Sequence, residues 1–228
     1  MDVYGVALQE YYSGKGKEKL WLQTNYGELE EMPLDIFFRG QNEMPDLELY
    51  ALELCYGKIL DIGAGVGSHS LILQNLGFDV TALEISSILC EIMKQRSIEN
   101  ILNEDIFSFT SQKFDTLLLL MNGIGLTGNL DGFRDFLQHA KQLIKPSGQL
   151  IFDSSDIGYL YEEIPKPENK YFGEISYRYQ YKEMLGEWFK WLYIDQDKLL
   201  EEAAKLGWMP QIIYENEDDH YLTRLILL

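Results

Sequence analysis

The stretch Lys58–Ser70, KILDIGAGVGSHS, constrains the chain more than any other. An apolar run (Ile59, Leu60, Ile62) carries the acid Asp61, and glycines follow at alternate positions, Gly63, Gly65 and Gly67. Ser68 then opens an amphipathic run, SHSLILQNL. This order predicts a buried strand, a tight glycine turn and a helix. Glycines there accept positive φ and let a ligand lie against bare backbone. The helix N-terminus offers its unpaired N–H groups to the same ligand.

The choice of ligand turns on charge. A dinucleotide loop reads G-x-G-x-x-G, whereas here position 68 is Ser and the third glycine comes one place early. No G-K-[ST] follows, so the loop is not a P-loop. Asp61 would repel a pyrophosphate, and the loop holds no Lys or Arg. An acid beside a glycine turn suits a cation such as the sulfonium and ammonium of S-adenosylmethionine (SAM). The stretch resembles motif I of the class I SAM-dependent methyltransferases, (D/E)-x-G-x-G-x-G, matched position for position by Asp61, Gly63, Gly65 and Gly67.

The segments that follow alternate strand and helix. DVTALEIS gives a second strand ending at Glu84, where a carboxylate can accept both ribose hydroxyls of a nucleoside. Ser86 is placed to cap the next helix, and a short strand over residues 99–103 leads to Glu104-Asp105-Ile106. Phe114–Met121 is nearly all apolar, as a strand buried on both faces should be. It ends in Asn122-Gly123. A helix over 130–144, a break at Lys145–Gly148 and a strand at Leu150–Asp153 complete the βαβ series. The resemblance implies that Asp61, Gly63, Ala64, Gly65, Gly67, Glu84 and Ile85 hold the cofactor's methionine and ribose parts. Asp105 and Ile106 would hold its adenine, with Glu104 a competitor for the polar role. Asn122 and Gly123 take the place of the family motif that lines the methyl-transfer site. The (D/N/S)-P-P-(Y/F/W) tetrad of amino-methylating DNA and glutamine methyltransferases is missing there, which counts against those substrates.

The tail carries two aromatic strands, 174–182 and 187–194, joined as a hairpin through Leu185-Gly186. Their Tyr, Trp and Phe side chains either wall a substrate pocket or cover the sheet. A helix from Asp195 to Leu206 and two strands, 208–214 and 220–227, follow. The fold expected is α/β: a doubly wound, mostly parallel seven-stranded sheet with its last strand antiparallel and helices on both faces. Residues 45–228 form the SAM-binding unit, opened by a helix over 45–56. Residues 1–44 comprise a helix over 3–12, a polar loop and an irregular aromatic stretch (Trp21, Tyr26, Phe37, Phe38). They are too few to bury a core alone and are expected to be a lid or strap. Arg39 in that segment is placed to reach a carboxylate of cofactor or substrate.

Charge narrows the partners. Nineteen basic residues against thirty-seven acidic ones, net −18, with no basic run, argue against nucleic acid. No apolar run approaches a membrane span, and MDVYGVALQEYY has neither the basic nor the apolar region of a signal peptide. A cytoplasmic protein acting on a small molecule is the expectation. Cys55 and Cys90 fit no metal pattern and no disulfide framework. Asp153, Asp156, His69 and His139 are candidate bases by residue type. His139 is read as a surface residue of its helix, His220 as remote at a strand start, and His69 as close to the cofactor loop without a catalytic role. An NAD(P)-dependent oxidoreductase and a non-catalytic SAM-binding regulator are the rival classes; Asp61 and the displaced glycine count against the first.

Overall fold

The computed structural model describes residues 1–24, 27, 29–163 and 165–227. In chain order the elements are α1 (Val3–Tyr12), β1 (Leu20–Thr24), β2 (Leu29–Met32), α2 (Asp46–Glu53), β3 (Lys58–Ile62), α3 (Ser68–Asn75), β4 (Asp79–Leu83), α4 (Ser87–Gln95), β5 (Ile101–Leu102) and β6 (Phe114–Leu119). Then come α5 (Leu130–Leu143), β7 (Ile144–Ser155), β8 (Glu174–Tyr181), β9 (Met184–Leu185), β10 (Phe189–Leu192), α6 (Gln196–Lys205), β11 (Trp208–Glu215) and β12 (His220–Leu227).

The main sheet has the order β11-β12-β7-β6-β3-β4-β5. Its pairs from β5 to β7 are parallel, and β12 enters antiparallel between β7 and β11. This is the expected seven-stranded arrangement. The central strands β3 and β6 are buried along most of their length, so their apolar runs serve both faces. On one face Phe133, Phe136 and Leu137 of α5 and Leu199 and Ala203 of α6 pack on Leu60, Leu117 and Leu150. On the other, Leu47 and Ala51 of α2 and Ile72 and Leu73 of α3 pack on Ile59, Leu118 and Ile151.

Helix ends follow their sequence signals. Asn129 caps α5 by accepting the Gly132 N–H at 2.8 Å, and Ser86 and Asp195 cap α4 and α6 in the same way. Gly207, at φ +74°, stops α6.

Three local readings are corrected. Residues 20–24 and 29–32 are not irregular: β1 and β2 pair antiparallel and β1 pairs with β8, giving a second antiparallel sheet of order β10-β8-β1-β2, with β9 on β8. Tyr26 lies outside the described residues. The turn after β8 falls at Lys182-Glu183, with Lys182 at φ +54°, not at Leu185-Gly186; Leu185 is already paired with Gln180. Strand pairing of β7 begins at Ile144, and residues 145–148 bulge out between the pairs Phe114–Ile144 and Thr116–Gln149.

Candidate functional site

Parallel sheets place their ligand crevice at the carboxyl ends of the strands. Here those ends, after β3, β4, β5 and β6, open into one cavity of about 650 Å³. Asp61, Gly63, Ala64 and Gly65 come to it from the glycine turn, Glu84 and Ile85 from the end of β4, Asp105 and Ile106 from the loop after β5, and Asn122 and Gly123 from the loop after β6. Ten of the eleven residues named from sequence thus share one wall. Gly67 is the exception. At φ +80° it caps α3, and a Cβ there would stand 2.0 Å from Ile98 Cδ1. Its smallness serves the packing of the turn on the neighbouring α4 region, not the cavity.

The acids are held by specific donors. Ser70 Oγ donates to Asp61 Oδ2 at 2.6 Å; burial pushes the Asp61 carboxyl upward, and His69 and the Ser70 bonds oppose that. Glu84 receives the Gly65 N–H at 2.9 Å and the Ser86 N–H at 2.8 Å, tying the glycine turn to the end of β4; burial raises its pKa. Asp105 is exposed, and its Oδ1 accepts the Phe107 N–H at 3.0 Å.

After β6 the backbone leaves the usual regions. Met121 and Asn122 both have positive φ, +60° and +54°. Two successive non-glycine residues held so are a local strain of the kind found at ligand sites. The Asn122 N–H is fixed by Asp153 Oδ2 at 2.8 Å. Loss of solvation pushes the Asp153 carboxyl up to about 7, with Glu48 adding repulsion. The folded state therefore keeps this proton to higher pH than the unfolded chain, where an Asp titrates near about 3.9. Asp153 subtracts stability progressively as pH rises from about 4 to about 7. Asp153→Asn retains an acceptor for Asn122 and should remove that slope. In urea unfolding the variant should gain on the wild type between pH 4.5 and pH 7.5; a difference independent of pH would contradict this.

A buried ion network adjoins the turn. His69 Nε2 donates to Glu48 Oε2 at 2.6 Å, and Arg39 Nη2 donates to Glu48 Oε1 at 2.6 Å. Burial works against the charge on His69, but Glu48 first, then Asp61, raise its pKa; Glu48 is lowered by His69 and Arg39 in spite of its own burial. Arg39 therefore pairs with a carboxylate of its own chain. Among the other candidate bases, His69 lines the cavity, His139 faces the Phe109 carbonyl at 2.9 Å on α5, Asp156 receives the Gly158 N–H in a loop, and His220 is exposed at the start of β12. Glu48 escaped the sequence reading. Its signal was an acid one helical turn before the buried Leu52 of α2, at i and i+4.

The second sheet roofs the cavity. Leu22 of β1, Tyr177 and Tyr179 of β8, and Phe189 and Trp191 of β10 line it, with Tyr4 of α1 and Phe37 closing the side. The segment around Phe37 is fixed to the glycine turn: Ser68 Oγ donates to the Phe37 carbonyl at 2.6 Å, and Arg96 donates to the Val66 carbonyl at 2.7 Å. Asp2, which caps α1, accepts from Ser86 Oγ beside Glu84.

A solved SAM-dependent methyltransferase from Bacteroides fragilis, crystallised with S-adenosyl-L-homocysteine, is 37% identical to this chain. The alignment covers 99% of this chain and 94% of that one, with a TM-score of 0.91. The chain belongs to the SAM-dependent methyltransferase family. A methyltransferase domain model matches residues 60–152, the span from β3 through most of β7. Two curated relatives, the demethylmenaquinone methyltransferase of Tropheryma whipplei and the mitochondrial ubiquinone biosynthesis O-methyltransferase of Schizosaccharomyces pombe, are each 28% identical over 99 and 114 residues. The matched part spans 40% and 42% of their lengths. The CcbJ methyltransferase of Streptomyces caelestis, 13% identical with a TM-score of 0.64, shares the fold over 85% of this chain and 95% of its own. Among the described residues of this methyltransferase-family chain, no helix is long and apolar enough to cross a membrane.

Proposed function

We propose that the cavity binds SAM and that the protein transfers its methyl group to a small-molecule acceptor. The observation that carries the reading is the convergence of Asp61, the glycine turn, Glu84, Asp105-Ile106 and Asn122-Gly123 on one cavity. The donor set fits the group. Asp61 is an acid suited to the cationic methionine end, Glu84 ends β4 as a ribose acceptor, and Asp105 with Ile106 offers a carboxylate and an apolar face for adenine. When bound, SAM supplies a methyl carbon on a sulfonium, already activated for displacement.

The protein's own task is then to orient two reactants and exclude water, which can lower a barrier by roughly 7–11 kcal/mol. The strained Met121-Asn122 turn, locked by Asp153, gives the acceptor side a fixed edge. Residues 1–44 act as a cover over the 45–228 unit, closing the roof together with β8 and β10. The rings and apolar side chains of that roof, and the excess of acidic over basic residues in the sequence, support a small molecule over a nucleic acid.

Glu84→Gln tests the cofactor assignment. It keeps one acceptor for the Gly65 and Ser86 amides but cannot take both ribose hydroxyls as a charged group. Affinity for S-adenosylhomocysteine by calorimetry should fall by about 1.5–3 kcal/mol, the range for hydrogen bonds to charge. Wild-type affinity would mean that the ribose is held elsewhere.

A further inference from the structure

The cavity has two unlike halves. Its floor, at the strand ends, carries the carboxylates Asp61, Glu84, Glu104 and Asp105. Its roof is a connected band of rings. Tyr4 stacks on Tyr179 with centroids 5.0 Å apart, Tyr179 stacks on Phe189 at 5.0 Å, and Phe189 meets Trp191 edge-on at 6.1 Å and 83°. The register makes this one surface: Leu22 is opposite Tyr179, and Phe189 is opposite Tyr177, so these side chains share a face of the second sheet.

The indole of Trp191 reaches the loop after Asn122. A Cβ at Gly125 would stand 2.0 Å from its Nε1, so only glycine there admits the ring. The band therefore ends at the strand terminus that closes the acceptor side in the reading above.

We propose that the acceptor is an alkylamine, recognised in its ammonium form by the ring faces of this roof. The inference rests on the SAM-dependent reading and names its substrate class. Aromatic faces are the negative ends of a quadrupole and attract a cation, more strongly where water is excluded. Four carboxylates on the floor, against Lys190 and His69 on the walls, set a negative potential that favours a cation and repels an acid. The chain's net charge of −18 draws the same partner from a distance. Burial raises the Tyr4 and Tyr179 hydroxyls above their ordinary range, so these two stacked rings face the cavity as neutral phenols.

The chemistry balances. The ammonium gives up one proton to solvent water before transfer. The freed nitrogen lone pair forms the new N–C bond as the C–S bond breaks, and that bond's electron pair stays on sulfur. Positive charge passes from sulfur to the methylated nitrogen, so the roof faces a cation before and after transfer.

The test uses the full chain saturated with S-adenosylhomocysteine, titrated by calorimetry with choline and with its neutral carbon isostere, 3,3-dimethyl-1-butanol. Choline should bind at least tenfold more tightly. Trp191→Leu should bring the two within threefold while homocysteine-nucleoside binding persists, and Tyr179→Leu serves the same comparison if the first variant does not fold. Equal affinity for the two probes, or binding of neither, overturns the proposal. Choline competing with S-adenosylhomocysteine would assign the rings to the cofactor and overturn it too. Failure of the protein to bind S-adenosylhomocysteine at all is a separate result: it removes the cofactor reading and this inference with it.

Discussion

Replacing Glu48 by alanine should lower the unfolding free energy by about 3–5 kcal/mol near pH 6, the cost of removing one partner from a buried charged set. Glu48 and His69 are both 6% exposed, and Arg39 shares the same carboxylate. Truncation leaves an imidazole and a guanidinium in a poorly solvated place without the carboxylate both of them bond. The effect should depend on pH in a definite direction. His69 has a raised folded pKa, so its contribution is complete below about 6.5, its unfolded value, and is lost as pH rises through the folded one. Glu48 has a lowered folded pKa, so its contribution is complete above about 4.3 and is lost as pH falls through the folded value. The gap between wild type and variant should therefore be widest between about pH 4.5 and 6.5 and shrink in alkaline buffer. Urea unfolding at pH 5.5 and pH 9 reads it directly. Glu48→Gln, which keeps the acceptor oxygen but not the charge, should fall between the two. A gap that is flat across this range would mean that the network is not ionised as described.

Gly67→Ala should be the second large loss, and it separates two kinds of glycine in one turn. Residue 67 sits at φ +80°, and a Cβ would overlap Ile98 Cδ1 and approach Met93. Left-handed strain of roughly 1–3 kcal/mol adds to overpacking of similar size, about 1–3 kcal/mol. Gly65 also has positive φ, +58°, yet nothing lies within 4 Å of its Cβ position, and it faces the cavity. Gly65→Ala should thus lose less stability but more affinity for S-adenosylhomocysteine. Thermal unfolding and calorimetry on the pair of variants should show this crossed pattern. Equal losses on both axes would contradict the assignment of Gly67 to packing and Gly65 to ligand.

The parts of the fold that were legible in sequence are those whose signals are local. The Asp61–Gly67 turn, the caps Ser86 and Asp195, and the nearly all-apolar run that forms β6 each write their structure within a dozen residues. What was not legible depends on partners far away in the chain. β2, LEEM, is exposed on three of its four residues and shows no apolar alternation, and β1 becomes a strand by pairing with β8 about 150 residues later. The turn after β8 was misplaced because Gly186 is the stronger turn signal, while Lys182 takes the positive φ without being glycine. At the site, the residues of the glycine turn and of the strand ends could be named because motif spacing fixes them. Glu48 and Tyr4 could not be, since their importance comes from what α2 and α1 pack against. Arg39 reads in sequence as reaching a carboxylate of cofactor or substrate, but the carboxylate it pairs with is Glu48 of its own chain.

The central claim is that the acid-bearing glycine turn selects a sulfonium nucleoside over a pyrophosphate dinucleotide. Calorimetric titration of the purified protein with SAM, S-adenosylhomocysteine and NADH tests it most directly. Micromolar binding of SAM and S-adenosylhomocysteine with no heat from NADH is the result predicted. Saturable binding of NADH, with neither sulfur nucleoside bound, would contradict it.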